Sequence, residues 1–202
     1  IGSTIEKTSC ENDWSIDFNK ATSNNILALK VNGNNPPPLE LIIQAHKDKF
    51  SSTRVLIFLE EHTRLDLLQV FLGDGSSGQS HLIEIHLAKG TCLNHGCIAL
   101  GGGNAGLLSN VIVEQKADSA YKFTAIQNGW SLARLEPRVV QSEGQAKTSL
   151  KGLQVATDTQ QVATHSKVTF QGTDGTLDQL QKALVSDRSH SIFNGSIDVP
   201  RV

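Results

Sequence analysis

The hexapeptide Gly101-Gly102-Gly103-Asn104-Ala105-Gly106 has the G-x-G-x-x-G spacing that lets bare backbone approach a pyrophosphate in nucleotide-binding enzymes. That chemistry needs a helix directly after the glycines, because its free N–H groups and dipole hold the phosphates. Here the chain runs on as Leu107-Leu108-Ser109-Asn110-Val111-Ile112-Val113, with Val111 and Val113 in strand alternation. Nor does an acidic residue stand between positions 121 and 130, where a ribose would want it. The glycines are read instead as positive-φ positions in a loop between strands. Just upstream, Cys92, His95 and Cys97 offer soft ligands at short spacing, as a zinc site or an iron–sulfur cluster would require. On an extended strand His95 and Cys97 share one face and Cys92 takes the other, and no C-x-x-C or H-x-x-x-H elsewhere completes a set of four. No metal site is expected, and the cysteines are read as small buried hydrophobes.

Two further groupings carry acid–base potential. Glu84 and His86 lie on the outward face of a strand whose inward residues are Ile83, Ile85 and Leu87, and they are read as part of a solvated face rather than a catalytic pair. Asp187, Ser189 and His190 contain the atoms of a hydrolase triad, but triad members converge from distant segments and these sit on one turn. A polysaccharide-cleaving enzyme would want paired carboxylates and aromatic platforms; only 2 Trp, 1 Tyr and 7 Phe are present, and no acid pair stands out. No catalytic, cofactor-binding or metal-ligating residue is assigned.

Short segments of period-two apolar spacing must position all of these side chains. They recur at Leu27-Leu29-Val31, Leu39-Leu41-Ile43, Val55-Ile57-Leu59, Ile83-Ile85-Leu87, Val111-Val113, Tyr121-Phe123-Ala125, Leu153-Val155, Val168-Phe170 and Ile197-Val199. Turn formers separate them, among them Asn32-Gly33, Pro36-Pro37-Pro38, the stretch from Gly73 to Gly78, Asn128-Gly129, Asp174-Gly175 and Asn194-Gly195. The chain therefore reads as mostly β, with Leu65–Leu72 taken as strand. Asn194-Gly195-Ser196, which fits a glycosylation triplet, is read as a turn. A sandwich or barrel and a stacked solenoid both suit this rhythm, and no fixed-length repeat is evident. Thr176 to Leu184 has a local capping-box pattern, Thr176 with Gln179.

Length and charge narrow the classes. The 202 residues suit one domain. A net charge of −2 supplies no drive toward nucleic acid and no polybasic membrane patch. The longest apolar run, Val55 to Leu59, is far short of the roughly 20 residues a membrane span needs. With 3 cysteines, an incomplete disulfide set, a reducing compartment is the expectation. The chain starts at Ile1 and contains no methionine, and it is read as a piece of something longer.

The segment Gln160–Val199 separates the remaining readings. It contains Gln160-Gln161-Val162-Ala163-Thr164-His165-Ser166-Lys167-Val168, then Gln179-Leu180-Gln181-Lys182-Ala183-Leu184-Val185, then Ile192-Phe193-Asn194-Gly195-Ser196-Ile197-Asp198-Val199. In order and spacing this resembles the SufB/SufD core family of the Suf iron–sulfur cluster assembly system. Where the family pattern has histidine, aspartate and a second histidine, Gln161, Ala163 and Phe170 stand, while Thr164, His165 and Ser166 fit. Together with the lack of a cluster-ligating cysteine group, this is more like the SufD branch than the SufB branch.

The resemblance implies an all-β fold, a right-handed parallel β-helix in which each rung pairs with the next, spanning residues 1–202 as one domain cut at both ends. It turns the local helix pattern at 177 to 184 into a strand. It also implies a non-catalytic scaffold subunit pairing with SufB and SufC in the cytoplasm or plastid stroma, holding no cofactor itself while the complex handles iron–sulfur clusters and SufC hydrolyses ATP. The open end of such a solenoid invites self-association. A carbohydrate-binding or carbohydrate-processing β-helix and a nucleotide-binding enzyme using Gly101 to Gly106 are the alternatives.

Overall fold

The computed structural model describes residues 13–33 and 36–200. Among the described residues one helix, α1 (Trp14–Thr22), precedes thirteen strands. They are β1 (Ile26–Val31), β2 (Leu39–Gln44), β3 (Phe50–Leu59), β4 (Arg64–Leu72), β5 (Gly78–Leu87), β6 (Cys92–Leu100), β7 (Gly106–Gln115), β8 (Ala120–Asn128), β9 (Leu132–Gln141), β10 (Lys147–Ala156), β11 (Gln161–Phe170), β12 (Thr176–Val185) and β13 (His190–Asp198). The odd-numbered strands form one seven-stranded sheet in sequence order and the even-numbered strands form a six-stranded sheet. Every pairing is parallel. The chain thus coils as a flattened β-solenoid, each turn laying down one strand on each of two facing sheets, and the all-β parallel expectation holds. Gly101 to Ala105 form a loop as expected, Gly106 opens β7 rather than a helix, and 176 to 185 is strand β12.

Contrary to the sequence reading, the coil has a nearly fixed length. Ile26 lies opposite Arg54, Arg54 opposite Leu82 and Leu82 opposite Asn110, a step of 28 residues each time. The step shrinks to 26 between Asn110 and Glu136 and settles at 29 from Leu135 to Thr164 to Phe193. Left-handed residues mark both corners of the coil. His62, Gly90, Asp118, Gln145 and Asp174 fall at one, and Asp48, Gly75, Gly103, Gly129, Asp158 and Asp187 at the other. Short polar side chains and glycine tolerate this conformation best, so the corners repeat in conformation while varying in residue type. That variation hides the period.

Two other differences have local causes. Asn194-Gly195-Ser196 lies inside β13, not in a turn, because the strand is fixed by pairing with His165, Ser166 and Lys167 on β11. Helix α1 was not foreseen; Asp13 caps it by accepting from the Ser15 N–H at 2.9 Å. It lies across the outward face of the odd sheet, where Ile16 packs on Leu82 and Ile112, Asn19 donates to Ser80, and Asp13 pairs with Arg138.

The interior is built of ladders. Leu29, Ile57, Ile85, Val113, Val139 and Val168 stack in one register position through six odd strands, and Leu39, Leu67, Phe123 and Leu150 face them from the even sheet. Where the coil shortens, only three residues join β8 to β9, and the fully buried Trp130 fills the corner. Its ring explains Gly101, where an added Cβ would stand 2.6 Å from Trp130 Cδ2; Gly103 has φ +62° and lies against the Gly75 backbone. Gly101 thus makes room for a tryptophan, while Gly103 supplies the left-handed corner residue. Gly101→Ala should cost about 1–3 kcal/mol by overpacking. A lower urea midpoint with red-shifted Trp130 emission in a Trp14→Phe background would show this, and an unchanged midpoint would refute it.

Candidate functional site

Inside the N-terminal half of the solenoid, polar side chains interrupt the apolar ladders at His81 on β5, Gln69 on β4 and His95 and Tyr121 on β6 and β8. All four are buried, and they join into one chain. The Tyr121 hydroxyl donates to His95 Nδ1 at 3.0 Å, and His95 Nε2–H donates to Gln69 Oε1 at 2.7 Å. The other end of the Gln69 amide donates from Nε2 to His81 Nε2 at 2.9 Å, which leaves His81 Nδ1–H to donate to Thr53 Oγ1 at 2.6 Å. The chain crosses from one sheet to the other between Gln69 and His81. Both ring nitrogens of both histidines are used, and both rings are neutral. Phe123 packs edge-on against His95 at 4.9 Å between centroids, as Phe71 does against His81 at 5.0 Å.

Burial sets the electrostatics. It lowers the pKa of His81 to about 3 and that of His95 to about 3, with the nearby His81 contributing to the second. Burial pushes the Cys97 thiol up to about 12 and the Tyr121 phenol well above its ordinary value, the latter helped by the Cys97 beside it. A thiol so far from ionising is a poor nucleophile and a poor metal ligand.

The residues marked by sequence separate accordingly. His95 and Cys97 point inward and Cys92 lies on the opposite face, as alternation requires. His95 has both nitrogens committed to Tyr121 and Gln69, so it presents no lone pair toward Cys97. Among the described residues no three His, Cys, Asp or Glu side chains gather as a metal would need. Cys10 lies outside the described residues. Glu84 is not solvated as read: it faces outward but is only 1% exposed, gripped by Arg54 through Nε at 3.0 Å and Nη2 at 2.9 Å. His86 pairs one coil onward, with Glu114 at 3.0 Å, and stacks on Phe58 at 4.8 Å. That His86 contact comes first among the causes that hold the Glu114 carboxyl near 2, ahead of opposing burial, with Lys116 adding to it. Ser189 donates to the Ala156 and Ser186 carbonyls while Asp187 accepts from the Asp158 N–H, so no triad forms. The corner at Gly101 to Gly106 is closed from inside by Trp130.

Sequence reading missed His81, Gln69 and Tyr121. The signal exists only once the chain is folded at the coil length: Thr53, His81 and Ser109 then share a polar register position, and Gln69 stands beside Cys97 and Ala125 in its own row.

The chain is a two-sheet parallel β-solenoid whose inward His81, His95 and Tyr121 are tied into one hydrogen-bonded series through Gln69. Residues 41–202 match the family described as SUF system FeS cluster assembly, SufBD core domain, and the chain belongs to that family. Among curated relatives it is 24% identical over 155 residues to Protein ABCI7, chloroplastic, of Arabidopsis thaliana, covering 75% of this chain and 33% of that one. It is 25% identical over 146 residues to the iron–sulfur cluster assembly protein SufD of Plasmodium berghei, covering 71% of this chain and 11% of the relative. A SufBD family protein of Synechocystis is 25% identical over 118 residues, or 58% and 26% of the two chains. The chain spans a third or less of the length of these relatives. No described helix is long and apolar enough to cross a membrane.

The buried chain generates a pH prediction. In the folded protein His81 and His95 stay neutral down to about 3, whereas their unfolded counterparts take up protons below 6.5. Their contribution to stability is therefore complete above 6.5 and is lost progressively as pH falls toward 3. The urea midpoint should decline across that window, and imidazole nitrogen NMR should show His95 protonated on Nε2 and His81 on Nδ1 in the folded state. Proton uptake by either ring near pH 6 without unfolding would contradict the assignment.

Proposed function

We propose that this chain is the β-helical core, residues 1–202 acting as one unit, of a non-catalytic scaffold subunit of iron–sulfur cluster assembly. It is of the SufD kind and works beside SufB and the ATPase SufC. The observation that carries the reading is the unbroken parallel ladder through the region that the family model matches. Such a ladder has little freedom to bend, because each strand is hydrogen-bonded along its length to the coil on either side. A stiff body of this kind holds partner groups at fixed separations. Its own thiol and imidazoles support the same view, since Cys97 is protonated and both nitrogens of His95 are occupied.

In this reading the cluster is cargo handled by the complex, ATP is hydrolysed by SufC, and this chain holds no cofactor of its own. The relative named SufD supports the subunit type and the relative named chloroplastic supports a plastid stroma, with the cytoplasm as the other compartment of this reading. By resemblance, SufC docks on helices outside the solenoid.

An affinity-tagged full-length gene product should co-purify with SufB and SufC, whereas residues 1–202 alone should retain no SufC. The 202-residue chain, purified without oxygen, should contain no stoichiometric iron or zinc. Tight SufC binding by the short chain would move the docking surface into the solenoid, and one equivalent of metal lost on changing His95 or Cys97 would make this chain a cluster ligand.

A further inference from the structure

Helix α1 lies on the solenoid without sharing its ladders. A helix of 9 residues does not persist in water by itself, so α1 forms only while the odd sheet supports it. Its buried residues are Ser15, Ile16 and Asn19, a single apolar side chain among them. Ile16 rests on Leu82 of β5 and Ile112 of β7. Around that anchor the contacts are polar. Ser15 Oγ lies 3.2 Å from Asn110 Oδ1, Asn19 Nδ2 donates to the Ser80 hydroxyl at 3.0 Å, and Thr22 Oγ1 lies 2.9 Å from the Ser52 hydroxyl. Phe18 meets Phe50 edge-on at 5.4 Å, yet the two rings stay 39% and 52% exposed.

The charges at this contact are arranged so that the helix can leave. Arg138 is shared between Asp13, the cap of α1, and Glu136 on its own strand. Glu136 is buried and is held by Arg134 as well. Arg54 grips Glu84 through two nitrogens, both groups belonging to the sheet. When Asp13 withdraws into water, Arg138 keeps Glu136 and no buried charge is stranded, which is the step that makes most buried pairs costly to open. The Ser52, Ser80 and Asn110 side chains are groups that water satisfies equally well.

We propose that α1 is a releasable strap, with Asp13 and Arg138 as its latch and the exposed Asn24 and Asn25 as its hinge, which lifts from the odd sheet while the thirteen strands stay paired. The two states present different surfaces. Closed, the odd face shows Trp14, 58% exposed, and Phe18. Open, it shows Leu82 in register between Arg54 and Asn110, and Ile112 in register between Glu84 and Arg138. Two aliphatic side chains bracketed by two ion pairs thus come into view together. The ladders cannot make such a change, because each interior strand is bonded to a coil on either side. The strap can, since its opening breaks one apolar contact, one shared ion pair and hydrogen bonds to side chains.

Amide hydrogen exchange of the 202-residue chain, read by mass spectrometry, tests this. The amides of α1 should exchange about a hundredfold faster than those of β5 and β7, yet more slowly than in an unfolded peptide, as a locally opening element does. Asp13→Asn keeps a good helix cap while removing the latch charge, and it should speed exchange in α1 roughly fivefold with β5 and β7 unchanged. Arg138→Gln should do the same, and the double variant should add nothing further, because both changes break one contact. Ile16→Ala should bring α1 to the rate of an unfolded peptide without moving the urea midpoint of the strands. Three results would overturn the proposal: α1 exchanging as slowly as β5 and β7, Asp13→Asn loosening the strands as much as the helix, or wild-type α1 exchanging like an unfolded peptide, which would leave no closed state.

Discussion

Every interior strand finds both of its hydrogen-bonding neighbours one coil away in sequence, never beside it. Backbone N–H and C=O groups left unpaired in the interior would cost as much as lost hydrogen bonds, so the coil length is not free to drift. The strands keep side-chain alternation in phase, because a one-residue slip would turn the apolar row outward. Variation is therefore confined to the corners. The step from Asn110 to Glu136 is two residues shorter than the three before it, and the loss falls in the three-residue link ahead of Leu132. The corner that results is too tight for extended chain and too empty without a large ring. Trp130 fills it, and Gly101 then has to lack a side chain. A sequence feature that resembles a phosphate loop is thus the consequence of a register constraint thirty residues long.

The same constraint explains why polar groups are tolerated inside. A stacked solenoid repeats its inward positions every coil, so a polar side chain in one coil lies next to the corresponding position of the next. Gln127 and Gln154 both donate to Thr164, and Gln141 and Gln115 both reach Thr148. The amide is suited to this, having a donor and an acceptor at one end of a flexible chain. The Tyr121–His95–Gln69–His81–Thr53 series is one instance, and in it all four imidazole nitrogens are hydrogen-bonded with no charge required. Desolvating an ion there would cost several kcal/mol, whereas a neutral, hydrogen-bonded series costs far less and penalises any competing register.

How far the sequence could be read follows from which interactions are local. Alternation of apolar residues depends on neighbours two apart, so the strands were legible, and the sharing of one face by His95 and Cys97 with Cys92 on the other came with them; that this face turns inward shows only in the fold. The capping-box pattern at Thr176 was also local, yet pairing of β12 with β10 along its whole length overrides it. What was not legible depends on partners 26 to 29 residues away. The coil period was hidden because Asp, Gly, His and Gln all serve as left-handed corner residues. The burial of Glu84 was hidden because its partner Arg54 lies on the previous odd strand. Helix α1 rests on one cap and one apolar anchor, too little for periodicity to register.

A body assembled this way keeps its inward titratable groups away from water and leaves its outer faces to vary. Its core thiol is held protonated and its core imidazoles are held neutral by the same burial that stabilises the ladders. Motion is limited too, since bending one coil strains the hydrogen bonds of two. What remains variable is the outside of each sheet, where residues one coil apart stand about 4.8 Å from one another and side chains of one kind can be lined up at will. Lining up ion pairs under α1 on one face and an aliphatic row of Ile42, Val70, Ile98, Ile126 and Leu153 on the other gives the solenoid two sides that cannot substitute for each other. That asymmetry arises from outward side chains, among them the buried Arg54–Glu84 pair and the Arg138–Asp13 pair that ties α1 to the odd sheet.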